Sequence, residues 1–223
     1  MCLNAEPDGF VIQKELAPHL STVEVAHQLG AIINIDRLLP FSGIPTVQSL
    51  RPRGTKEVQQ NQYSGHFGFD RFPLHTDLAH WILPPHCLLL RCLVGTEDVF
   101  TNLLPCRYVI DLVGAAALRK AVLRIRRRHF GCSGLVRAMS PHQHAEVFRW
   151  DPVFLEPLSR HARALQRVMV DSDWDDATIK VQLRKPGDTI LIDNWRMLHG
   201  RSQVPPRSIL RHVERVYLSE VFQ

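Results

Sequence analysis

A mainly β fold with helices packed outside it, a sandwich or barrel such as a jelly roll, is the fold class predicted by three features of this 223-residue sequence. Short β-prone runs recur along the chain, bounded by Pro, Gly and polar residues. One run is almost continuously apolar (HCLLLRCLV) and another alternates apolar with polar residues, so strands buried on both faces and strands buried on one face are both expected. Long helical patterns are few and do not alternate regularly with strands, which argues against a doubly wound sheet.

Taken in order, residues 9–30 read as a short extended piece followed by a helix, with Ser21 or Thr22 as N-cap, Val23, Ala26 and Leu29 on one face, and Gly30 ending it. Residues 31–35 and 46–50 read as strands. The polar, glycine-bearing stretch 51–70 is expected to be a loop or irregular hairpin, and loops entering a site supply contacts, so Gln62, Tyr63 and Arg71 are candidate substrate residues. Strands are expected at 86–94 and 99–103, and one long helix from Pro105 to about Arg128. On it Lys120, Arg124 and Arg128 would share a basic face with Arg127. A strand at 146–150 and an amphipathic helix at 157–170 follow. The acidic segment DSDWDD lacks the Gly and terminal Glu of a calcium loop. Strands at 178–183 and 189–193, joined by a tight Pro186-Gly187-Asp188 turn, are expected to form a hairpin. A last strand at 208–218 would set Arg211, Val213, Arg215 and Tyr217 on one face.

Length and a 45% hydrophobic content suit one domain spanning residues 1–223. Five scattered cysteines without a CxxC argue against a disulfide framework or zinc ribbon, and with no apolar run of membrane-spanning length or basic-then-apolar start, a cytoplasmic protein is expected. The net charge of +5 favours an anionic partner, either a small carboxylate or phosphate compound or nucleic acid. Aromatics interleaved with the basic stretch, which would stack on bases, are missing, so nucleic acid is disfavoured.

Chemistry concentrates first in FPLHTDLAHW, where His75 and Asp77 stand two apart and would project from one face of a strand. The pair alone is weak, because random placement of 12 His and 22 Asp/Glu yields roughly one His-x-Asp/Glu and three occur. His144/Glu146 leaves too little chain before the next suitable His, and His212/Glu214 has none after it. For His75/Asp77, His199 follows a strand in DNWRMLHGRS and would complete the two-His, one-carboxylate face that suits non-haem iron and leaves coordination positions open. Arg211 offers a guanidinium to a carboxylate, and Arg215 a second cation.

His75-x-Asp77, then 23 residues to Thr101, 97 more to His199 and 11 to Arg211, together with the segment PGDTILIDNWRMLHGR, resemble the taurine/2-oxoglutarate dioxygenase superfamily, which includes clavaminate-synthase-like enzymes. The resemblance implies a double-stranded β-helix (jelly roll) and Fe(II) bound by His75, Asp77 and His199. It implies 2-oxoglutarate held through its distal carboxylate by Thr101 and Arg211, with O2 as oxidant and succinate and CO2 as products. Arg215 would face the cosubstrate or an anionic substrate group. The implied activity is hydroxylation of a small carboxylate-bearing or amino-acid-like, anionic or zwitterionic metabolite. The 97-residue interval is short for the family and implies a trimmed lid. Two rival readings remain: a zinc hydrolase using the same His/Asp/His set, and a basic nucleic-acid-binding protein without catalysis.

Overall fold

A computed structural model describes residues 9–38, 44–57, 62–126 and 134–222. Strand β1 (Phe10–Gln13) leads to helix α1 (Thr22–Leu29). Ser21 caps α1: its hydroxyl accepts the Glu24 N–H while the Glu24 carboxylate accepts the Ser21 N–H at 2.7 Å, a capping box. The buried face of α1 is Thr22, Val25 and Ala26, with Val23 only half buried. Gly30 does not close α1 in a left-handed turn. It is extended and opens strand β2 (Gly30–Ile32), where a Cβ would meet the Glu220 carbonyl oxygen at 2.2 Å.

The end of the expected 31–35 strand turns into a short helix α2 (Ile35–Leu38), and β3 (Gln48–Leu50) follows. The expected loop at 51–70 contains a 3-10 turn at Thr55–Glu57 and a one-turn helix α3 (Tyr63–Phe67) before β4 (Phe72–His75). Strand β5 (Cys87–Val94) is the continuous apolar run and is buried on both faces over most of its length, and β6 (Phe100–Pro105) follows it.

The long helix expected from Pro105 to Arg128 is not formed. Helix α4 (Cys106–Val113) ends at Gly114, whose φ of +86° is a left-handed conformation that stops an α-helix, and α5 (Ala115–Lys120) follows. The chain then enters β7 (Val122–Ile125). The apolar spacing of Leu118, Val122 and Ile125 fits a helix, but Val and Ile are β-branched and pair across a sheet here. The expected basic face is thereby dissolved: Lys120 ends a helix, Arg124 lies in a strand bonded to its cross-strand neighbour Glu156 at 2.9 Å, and Arg127 and Arg128 lie outside the described residues.

Strands β8 (Leu135–Arg137), β9 (Met139–His142), β10 (Ala145–Phe148) and β11 (Leu155–Pro157) precede helix α6 (Arg160–Asp171). The chain closes with β12 (Ile179–Gln182), β13 (Thr189–Asp193), β14 (Met197–Arg201) and β15 (His212–Val221).

Two antiparallel sheets face each other. The larger runs β1-β13-β5-β15-β2, with β3 also pairing β15, and the smaller runs β12-β6-β14-β4. Here β12 and β13 part company: the turn at Gly187 exists, but β12 pairs β6 while β13 pairs β5 and β1, so the expected hairpin is a crossover between sheets. Alternation marked both strands but carried no information about which sheet each joins.

Between the sheets lies a core of Leu88, Leu90, Ile190, Ile192, Val213 and Tyr217 against Leu103, Val181 and Met197. The other face of β5, Cys87 and Leu89, packs with Ala26 of α1, which explains a strand apolar on both sides. A further core on the outside of the smaller sheet joins Leu104 and Leu198 to Val109, Leu118 and Leu165 of α4, α5 and α6. Among the described residues, Cys87, Cys92 and Cys106 are buried free thiols, and no helix is long and apolar enough to cross a membrane.

Candidate metal centre

His75 closes β4, and its cross-strand partner in β14 is His199, so strand register alone places the two imidazoles side by side, with ring centres 4.4 Å apart. Gly200 permits this approach, since a Cβ there would sit 2.7 Å from the Phe72 carbonyl oxygen. Asp77 completes the group: its Oδ1 lies 3.5 Å from His75 Nε2 and 3.5 Å from His199 Nε2. One ligand atom from each residue falls within 4.8 Å of the others, and no other such group of three or more metal-ligating side chains exists among the described residues. The three side chains are buried, at 5%, 6% and 6% exposure for His75, Asp77 and His199. His75 Nδ1 donates to the Pro73 carbonyl at 2.8 Å, which fixes the tautomer and leaves the Nε2 lone pair toward Asp77. Two imidazole nitrogens and one carboxylate oxygen around a common point fit a divalent transition metal.

The main chain of Asp77 is held by a residue missed at the sequence level. Asn194, following β13, accepts the Asp77 N–H at 2.8 Å and donates to the carbonyls of Asp77 and Pro85, each at 3.0 Å. The next residue, Leu78, is held at φ +52°, and the buried Arg149 donates to the carbonyls of Ala79, Trp81 and Ile82, so the segment after Asp77 is clamped from both sides. Asp77 Oδ2 accepts from Arg215 at 2.6 Å and from the Tyr217 hydroxyl at 3.1 Å. Burial works to raise the Asp77 carboxyl, but Arg215 and the two histidines overcome it and hold Asp77 ionised, well below the usual carboxylate range. Tyr217 was legible as a neighbour of Arg215 on one strand face, although not as a partner of the carboxylate.

The remaining expected residues divide. Arg215 points to Asp77 and, through its other terminal nitrogen, to Gln48 Oε1 at 2.6 Å. Thr101 in β6 is buried opposite Arg201, two residues beyond His199 in β14. Arg211 is 7% exposed, its Nε has no hydrogen-bond partner, and burial lowers its guanidinium to about 10. Arg201 is likewise lowered to about 10 by burial, with the Arg211 charge adding to the effect and Asp70 opposing it, and it donates to the Gly68 and Asp70 carbonyls at 2.7 and 2.9 Å.

Tyr63 stacks on the His75 ring at 4.0 Å and donates to Asp151 at 2.9 Å. Gln62 is exposed at the start of α3 and its side chain makes no capping bond. Arg71 is half exposed and pairs with Asp175 of the acidic segment at 3.1 Å, beside a groove of about 390 Å³ floored by Leu74, Trp150, Met169 and Trp174.

No protein-family model matches the chain, and no curated protein does. Solved structures do. Asparagine oxygenase in complex with Fe(II), 2S,3S-3-hydroxyasparagine and succinate is similar at a TM-score of 0.70 and 17% identity, over 96% of this chain and 75% of that one. A second structure of asparagine oxygenase gives 0.68 and 19%, over 96% and 74%. The non-heme iron oxygenase OrfP in complex with Fe and L-canavanine gives 0.56 and 19%, over 78% of this chain and 56% of OrfP. The chain therefore has the jelly-roll fold of these oxygenases.

Proposed function

We propose that this jelly-roll chain is an Fe(II)- and 2-oxoglutarate-dependent oxygenase that hydroxylates a small amino-acid-like metabolite. One observation carries the reading: His75 Nε2, His199 Nε2 and Asp77 Oδ1 converge on one point in a buried setting. In this reading His75, Asp77 and His199 hold the metal, and Arg211 with Thr101 takes the distal carboxylate of 2-oxoglutarate. A zinc hydrolase would leave Arg211 as a buried cation without a purpose.

When bound, iron(II) with 2-oxoglutarate and O2 supplies the oxidant that replaces a substrate C–H by C–OH, with succinate and CO2 as coproducts. The protein's own residues do the rest. Pro73 keeps the His75 proton on Nδ1, so Nε2 is always the coordinating atom. Arg215 and Tyr217 occupy Asp77 Oδ2, which leaves Oδ1 as the oxygen turned toward the histidines. Arg211 orients the cosubstrate by its distal end, and the buried surroundings of the three ligands keep bulk water from them. Amino-acid chemistry for the substrate is supported by the neighbours, whose structures hold 3-hydroxyasparagine and L-canavanine.

The test is a screen of amino acids and small acids for succinate release with Fe(II), 2-oxoglutarate and O2. At least one amino acid should raise succinate formation well above the substrate-free rate and return a product heavier by one oxygen. Full zinc occupancy with no 2-oxoglutarate binding would sink the proposal.

A further inference from the structure

Tyr63 entered as a candidate substrate contact, yet its side chain is committed elsewhere. Its ring lies nearly parallel to the His75 imidazole, 4.0 Å between centres and 21° between planes. Three more aromatic rings surround it, Phe72 at 5.6 Å, Phe67 at 5.8 Å and Phe154 at 6.3 Å, all tilted against it. The hydroxyl is fixed as well: it donates to Oδ1 of Asp151, a residue 1% exposed whose same oxygen accepts the N–H groups of Val153 and Phe154 at 2.8 and 2.9 Å. The chain before Asp151 returns to the metal ligands, because the Trp150 carbonyl accepts the Thr76 N–H at 2.8 Å and Thr76 stands between His75 and Asp77.

We propose that Tyr63 is a positioning residue for His75, with Asp151 as its anchor; this rests on the iron reading above. The Nδ1 bond to Pro73 fixes which nitrogen faces the metal but leaves the imidazole free to rock about that hydrogen bond. A ring stacked on one face removes that freedom and aims Nε2. Because Tyr63 opens α3, a helix of five residues at the end of the 51–70 segment, docking of α3 and the aim of a metal ligand become one event. Groups that orient metal-binding histidines characteristically alter metal affinity about 10- to 100-fold when removed.

The experiment is anaerobic titration of the full chain with Co(II), followed by its visible absorption bands, with thermal unfolding recorded on every variant. Tyr63→Leu removes the stacked ring and should weaken Co(II) binding about 10-fold or more and shift the bands. Tyr63→Phe keeps the ring but loses the Asp151 anchor, and should weaken binding by less while still shifting the bands. Both variants folding as wild type does, with wild-type affinity and bands, would overturn the assignment. Should Tyr63→Leu fail to fold, unchanged affinity and bands in Tyr63→Phe would overturn it alone. A wild type that takes up no Co(II) would instead overturn the metal reading itself, and Tyr63's role with it.

Discussion

Replacing Arg211 by Met should make the ligand-free protein more stable while abolishing its response to 2-oxoglutarate. Arg211 is 7% exposed, its Nε lacks an acceptor, and burial has brought its guanidinium down to about 10. At 1.36 kcal/mol per pK unit, keeping that charge inside costs on the order of 3 kcal/mol. The sign is fixed by the direction of the shift: the unfolded chain binds this proton more tightly, so the charged group opposes folding at every pH below about 10. Methionine matches much of the length without the charge, and about 3 kcal/mol is an upper limit, since some packing is lost. For a chain of 223 residues that limit corresponds to a rise of roughly 6–12 °C in melting temperature. Scanning calorimetry with and without 2-oxoglutarate checks both halves. Wild type should gain about 2.7 kcal/mol at 100 times the dissociation constant, and the variant nothing. A variant that melts below wild type and still shifts with 2-oxoglutarate would refute the view of Arg211 as a buried cation awaiting a carboxylate.

Substitutions at two other positions test how the backbone holds the site. Gly200→Ala places a Cβ 2.7 Å from the Phe72 carbonyl oxygen and so drives β4 from β14, parting His75 from His199; metal affinity by Co(II) titration should collapse, with about 1–3 kcal/mol lost in urea unfolding. Asn194→Ala strands the Asp77 N–H and the Asp77 and Pro85 carbonyls in a residue environment with 0% exposure, which should cost at least about 3 kcal/mol by the same urea assay, while Asn194→Asp, which keeps the acceptor but turns a carboxylate oxygen toward both carbonyls, should cost no less.

The cluster of His75, Asp77 and His199 was legible from its order along the chain, although the shared strand face expected for His75 and Asp77 is not formed: His75 closes β4, Asp77 lies in the turn just beyond it, and His199 sits within β14 rather than past a strand end. Strand existence was legible from local runs such as the one at Cys87–Val94. Partnership was not. The alternation in β12 and β13 is the same whether they pair with each other or with strands of different sheets, and Leu118, Val122 and Ile125 satisfy a helical period although Gly114 and the β-branched residues divide the segment between helix and strand. The residues that aim the ligands were harder still. Asn194, Asp151 and Arg149 act through main-chain groups 67 to 117 positions away, or through a ring, and no spacing rule reaches that far. Arg215 was visible as a second cation on the last expected strand, but its partner Asp77, 138 positions distant, emerges only once β15 lies across from β4 in the folded sandwich.

The central claim, that His75, Asp77 and His199 bind Fe(II) beside a 2-oxoglutarate pocket, is tested most directly by anaerobic titration with Fe(II) and 2-oxoglutarate under visible spectroscopy. Wild type should develop a metal-to-ligand charge-transfer band on addition of both and of neither alone, and His199→Ala should develop none. A wild type without the band, or a His199→Ala variant with the same band, would contradict the account.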